Sequence, residues 1–64
     1  MDAIEFMKLA IVDEKGAVAK YKQAAKAAKD PAAKALFERF VDEEQVHIDI
    51  LEGEIEKLKK AGKK

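Results

Sequence analysis

The one proline, Pro31, stands almost at the midpoint of a 64-residue chain. It follows Asp30. A residue before proline is held out of helical dihedrals. Proline itself is at home in the first turn of a helix, and aspartate is a good N-cap. The pair therefore ends one helix and starts another. The pattern predicts helix A over about residues 2–29 and helix B over about residues 31–60, each end placed to within about 2–4 residues. So short a connection folds the two back on each other as an antiparallel hairpin. The expectation is an all-α single domain over residues 1–64. Gly62 suits a helix stop. Gly16 and Gly53 lie inside the helices, where each costs up to ~1 kcal/mol relative to alanine. They permit either a close helix approach or an adjustment near a site.

Helix A carries one stripe at Ile4, Met7, Ile11, Glu14, Val18, Tyr21, Ala25 and Ala28, with Ala10, Ala17 and Ala24 beside it. Spacings of three and four keep these residues on one face. Helix B carries Phe37, Phe40, Val41, Glu44, His47, Ile48, Leu51, Ile55 and Leu58. Phe6, Phe37 and Phe40 read as core or interface packing. A chain this short buries only about 60% of its unfolded surface and needs a staple or a partner. It contains no cysteine, so disulfides, zinc thiolates and iron–sulfur clusters are excluded. Metal and self-association remain. Two helices meet along one seam and leave a broad side open. A twofold dimer, the commonest oligomer, closes it into a four-helix bundle.

Three polar residues interrupt the stripes. Glu14, Glu44 and His47 occupy positions where the pattern calls for apolar side chains. A buried carboxylate has to be neutralised, paired or bound to metal. Glu44 and His47 are three apart and project as neighbours. Glu14 and His47 both fall roughly 24–26 Å from the turn at the helical rise, with Glu44 about a turn nearer. All three share one cross-section, close to mid-helix. A twofold perpendicular to the bundle brings mid-helix residues to their own copies. The inventory becomes four glutamates and two histidines, which is the di-metal carboxylate pattern of one glutamate from each of two helices and Glu-x-x-His from each of the others. Carboxylate with imidazole suits iron or manganese. Tyr21 lies two turns from Glu14 on the same face. It reads either as a core aromatic or as a donor that orients a ligand carboxylate. Asp13, Asp42 and Glu43 are candidates for the free N–H of His47, with no choice among them.

Thirteen basic residues balance thirteen acidic ones, so no basic face points to nucleic acid. Lys57, Lys59, Lys60, Lys63 and Lys64 read as a solvated helix end favoured by the helix dipole. The remaining charges, Glu5, Lys8, Lys15, Lys20, Lys26, Glu38, Arg39 and Glu52 among them, read as solvated surface. No apolar run approaches the ~20 residues of a membrane span, and the start lacks a signal-peptide layout. The expectation is a soluble cytoplasmic protein with no nucleic-acid or membrane partner.

The residues also resemble a known family. Glu14-Lys15-Gly16-Ala17-Val18-Ala19-Lys20-Tyr21 is similar to the E-x-x-A-x-x-x-Y helix of the rubrerythrin branch of the ferritin-like superfamily. Leu36-Phe37 followed by Glu44-Gln45-Val46-His47 is similar to its L-F and E-x-x-H. A full family member holds four helices in one chain. The two helices here are similar in architecture to encapsulated ferritins, whose iron site forms across a subunit interface. The resemblance implies Glu14, Glu44 and His47 as metal ligands and Tyr21 as the tyrosine supporting them. It also implies two iron ions per dimer (manganese being the alternative) and a homodimer or higher oligomer. The function implied is a ferroxidase or a rubrerythrin-like peroxidase, acting on Fe(II) and on oxygen or peroxide. A metal-free helical dimer serving as a structural or interaction module is the other reading.

Overall fold

The structure, a computed structural model, describes residues 1–63; Lys64, last of the tail lysines, lies outside the described residues. Two α-helices make up the fold, α1 over Ala3–Ala27 and α2 over Pro31–Lys60, and no strand occurs among the described residues. Their ends show why the chain breaks where it does. Asp2 caps α1, its carboxylate accepting from the Glu5 amide at 2.9 Å. Asp30 caps α2 in the same way, accepting from the Ala33 amide at 3.1 Å. Its backbone is extended, as the proline that follows demands, and Pro31 opens the first turn. Helix α1 ends two residues before Lys29, because Ala28 already takes an extended ψ of 126°. Residues 28–30 thus make the whole turn.

The C-terminus of α2 is closed as expected at Gly62. That glycine has a φ of 70°, a conformation open to it because it lacks Cβ. Its amide donates to the Lys59 carbonyl at 3.1 Å, and the Lys63 amide donates to the Leu58 carbonyl at 2.8 Å. These two bonds satisfy carbonyls the helix end would leave orphaned. Lys57, Lys59 and Lys60 occupy the last turn, where the dipole favours cations.

The hairpin measures 49 × 17 × 10 Å, one helix thick. Its seam follows the two predicted stripes. Ala25, Ile48 and Ile55 are buried. Ile4, Met7, Ile11 and Val18 of α1 and Phe37, Phe40, Val41, Leu51 and Leu58 of α2 are half-buried. The Tyr21 ring stacks against Phe37 at 6.4 Å and tilts onto Phe40 at 5.1 Å, near the turn end of the seam. The exposed surface is 4845 Å², against roughly 4,100 Å² for a compact monomer of this mass. A single layer leaves half of each stripe wet.

The two broad sides differ in chemistry. Helical spacing sets Lys8, Lys15 and Lys22 of α1 beside Glu38, Gln45 and Glu52 of α2 on one side, all exposed. The opposite side holds Ala10, Ala17, Ala24 and Tyr21 of α1 with Leu36, Phe40, His47 and Ile50 of α2. No helix among the described residues is long and apolar enough to cross a membrane.

Candidate metal centre

Glu14 stands at the middle of α1, and Glu44 and His47 stand one turn apart at the middle of α2. The proline-set turn brings their levels together. His47 Nδ1 lies 3.2 Å from Glu14 Oε2, across 33 residues of sequence, and 3.8 Å from Glu44 Oε1. One ligand atom from each of the three lies within 4.8 Å of the others. They form the one such group of carboxylate and imidazole donors found among the described residues.

Position on the seam grades their exposure. The Glu14 and Glu44 side chains are 27% and 21% exposed, whereas His47 is 56% exposed at the lip of the apolar-rich side. The group therefore opens outward, toward the side that a second hairpin would cover. A shallow depression bounded by Glu43, Glu44, Val46 and His47 lies beside it.

The two carboxylates perturb each other. A hydrogen bond from Glu44 holds Glu14 below the ordinary 4.5, and the bond and charge of His47 work in the same direction against partial burial. That same bond to Glu14 raises Glu44 above 4.5, and partial burial and the Glu14 charge add to it. Two close carboxylates compete for a proton, and Glu44 gives its proton up less readily than Glu14. Glu14, the more readily ionised of the two, is the one whose oxygen lies against His47 Nδ1.

The donor set fits a divalent metal. Two carboxylates and an imidazole are hard-to-borderline donors suited to iron or manganese. The donor atoms lie within 4.8 Å of one another, a little wider than the ~4.2 Å that bonds of ~2.1 Å allow across one ion, so small side-chain movements would close them on it. Three side chains do not fill the coordination of such an ion, and the open face of the group is where further donors would enter.

Other side chains raised by the sequence sit elsewhere. Tyr21 is held by its ring among Phe37 and Phe40, and its hydroxyl makes no hydrogen bond among the described residues. Of the candidate partners for His47, Glu43 pairs with Arg39 at 3.8 Å. Asp13 and Asp42 are exposed. Asp49 accepts from Gln45, and Glu54 pairs with Lys57. Phe37 and Phe40 pack in the seam as expected, but Phe6 is exposed. Leu9, Val12, Val46 and Ile50 are exposed with it, a set the single-stripe reading did not single out. The signal was available in the offset apolar residues beside each stripe.

No curated protein and no solved structure matches the chain. The family profile of the ferritin-like domain matches residues 1–61, nearly the whole length, with both helices and all three donors inside it. The chain belongs to the ferritin-like domain family.

Proposed function

We propose that two hairpins associate through the side bearing Glu14, Glu44 and His47 and bind two iron ions between them. The observation carrying this reading is the convergence of the three donors at one level of an incomplete bundle, on its open side. Two copies supply four carboxylates and two imidazoles, a full set for two ions. Family membership supports iron in particular. Manganese suits the same donors.

The residues have distinct tasks. Glu14 and Glu44 supply carboxylate oxygen. His47 supplies neutral nitrogen, which requires releasing Glu14 from its present contact. Ile48 is buried and Ile11 and Leu51 are half-buried, each one helical turn from a donor. Bound iron would supply one-electron chemistry with oxygen or peroxide. We read the activity as oxidation of Fe(II) or reduction of oxygen or peroxide, in the manner of the rubrerythrin-like proteins the motifs resemble.

The test is a titration of the purified chain with Fe(II) and with Mn(II). The reading expects about one metal per chain. Oxygen consumption on Fe(II) addition should follow, and repeated additions separate turnover from a single stoichiometric oxidation. No binding at micromolar metal would sink the proposal. A second reading has its own observation: the imidazole already lies against both carboxylates, 3.2 Å from Glu14 and 3.8 Å from Glu44. A metal-free helical dimer used as an interaction module would then bind no metal and form the same dimer.

A further inference from the structure

His47 is the single histidine of the chain, and its two ring nitrogens are not equivalent. Nδ1 lies against the carboxylates, 3.2 Å from Glu14 Oε2 and 3.8 Å from Glu44 Oε1. The side chain as a whole opens outward and is 56% exposed. A neutral imidazole carries one N–H. A metal held among the three donors needs the lone pair of the nitrogen that faces them, so the proton resides on Nε2. Nε2–H then needs an acceptor. A ligand imidazole is held in one orientation by the hydrogen bond its other nitrogen makes.

Helix geometry limits which group can accept. The side-chain neighbours of position 47 along α2 are positions 43, 44, 50 and 51. Glu44 is itself a donor to the metal group, and Ile50 and Leu51 are apolar. Glu43 is the one polar side chain left among them. Helical side chains lean toward the N-terminus, so the ring lies over the turn that carries Glu43. Glu43, Glu44, Val46 and His47 bound a single depression, which sets the Glu43 carboxylate and the ring on the same hollow. The other acids are placed less well. Asp42 is five residues before His47 and falls on another face of α2. Asp49 accepts from Gln45, and Glu54 holds Lys57 two turns away. Asp13 borders a different hollow, with Val12, Gly16 and Lys20 of α1.

We propose that Glu43 is the positioning residue for His47: its carboxylate accepts from Nε2–H and keeps Nδ1 turned toward the metal. This role rests on the metal centre proposed above. Glu43 now lies beside Arg39, one turn earlier, at 3.8 Å, with 54% of its side chain exposed. So exposed a pair is loose and yields to a better partner. It need not break, because a carboxylate has two oxygens and can keep Arg39 on one while it takes the imidazole on the other. Arg39, Glu43 and His47 recur every four residues and form one row along α2. Arg39 thus tethers Glu43, and Glu43 aims His47.

The experiment is a Mn(II) titration of the full chain at one chain concentration, for wild type, Glu43→Ala, Glu43→Gln and Arg39→Ala. Glu43→Ala should weaken binding about tenfold or more and leave metal bound per chain unchanged. Glu43→Gln keeps an amide oxygen that can accept, and should recover part of that loss. Arg39→Ala breaks the same surface pair but leaves the acceptor, and should bind within about twofold of wild type. Alanine favours helix at both positions, so neither variant loses the fold. Equal losses in Arg39→Ala and Glu43→Ala would make the pair structural and overturn the proposal. So would wild-type affinity in Glu43→Ala, or a Glu43→Gln chain no better than Glu43→Ala. Less metal per chain in Glu43→Ala would make Glu43 a ligand, and that too overturns it. A wild-type chain that binds no Mn(II) takes down the metal reading and this role together. A wild-type chain that binds, beside a Glu43→Ala chain that binds equally well, takes down this role alone.

Discussion

Glu14 and His47 lie 33 residues apart in sequence and 3.2 Å apart in space, Oε2 to Nδ1. That contact joins the two helices at their midpoints, and it is polar where the stripes around it are apolar. Its third member, Glu44, carries the electrostatic cost: pushed above 4.5 by Glu14, it resists ionisation in the folded chain.

Glu44→Gln should therefore stabilise the metal-free protein and abolish metal binding. The sign follows from proton linkage. Glu44 is raised in the folded state, so the folded chain holds more protons than the unfolded chain as pH climbs from 4.5 through the raised value, and stability falls over that window. Glutamine cannot ionise and escapes this loss. Glu14 is lowered, so its contribution is present above 4.5 and is lost as pH falls through its depressed value. Thermal unfolding of both proteins, without metal, checks this. Their Tm values should agree in acid, where Glu44 is protonated, and the variant should lead by a growing margin toward neutral pH. Equal Tm values at neutral pH would remove the carboxylate conflict.

Metal should tighten the dimer. In the proposed dimer two copies would bring four carboxylates to one cross-section, and like charges at close range oppose association. Cations between them reverse the sign. Metal at a hundred times its dissociation constant stabilises the bound state by about 2.7 kcal/mol. Sedimentation at one chain concentration should show more dimer after Mn(II) addition and less after chelation. An association constant indifferent to metal would place the donors away from the interface.

The hairpin and the donor group were legible in sequence for one physical reason. Pro31 marks the turn, and the constant rise of a helix then converts sequence distance into height, which matches Glu14 with His47. What stayed illegible depends on how deep each position sits, which spacing alone does not give. His47 belongs to the stripe yet lies at its lip. Phe6 reads as core or interface packing, and its exposure in the single hairpin leaves only the interface part of that reading. Leu9 and Val12 are apolar in the sequence, but spacing alone does not say that they lie off the seam, in water. The end of α1 shifted because residues 28–30 all serve the turn, rather than Asp30 alone.

Tyr21→Phe separates the two uses of that side chain. Its ring packs on Phe37 and Phe40, and phenylalanine preserves those contacts. Metal-free stability should change by less than about 0.5 kcal/mol. If the hydroxyl supports a ligand carboxylate in the dimer, metal affinity should drop about tenfold, as when such a supporting hydrogen bond is removed. We expect the drop, read by metal titration of both proteins. Unchanged affinity would return Tyr21 to packing alone.

Gly53→Ala tests whether a second mid-helix glycine is as idle as it looks. Gly53 lies in α2, two residues beyond Leu51, and a Cβ there would meet nothing within 4 Å. Its backbone is ordinary helix, so alanine fits without strain. Its exposed neighbours are the charged Asp49, Glu52 and Lys57 together with the apolar Ile50. Alanine should then raise stability by up to ~1 kcal/mol through helix propensity. Denaturant unfolding at a fixed chain concentration measures it, because association contributes to the apparent stability. The mass of the assembly should not change. A loss of mass or of stability would show that a helix approaches Gly53 closely, and the charged face of α2 would then be an interface as well.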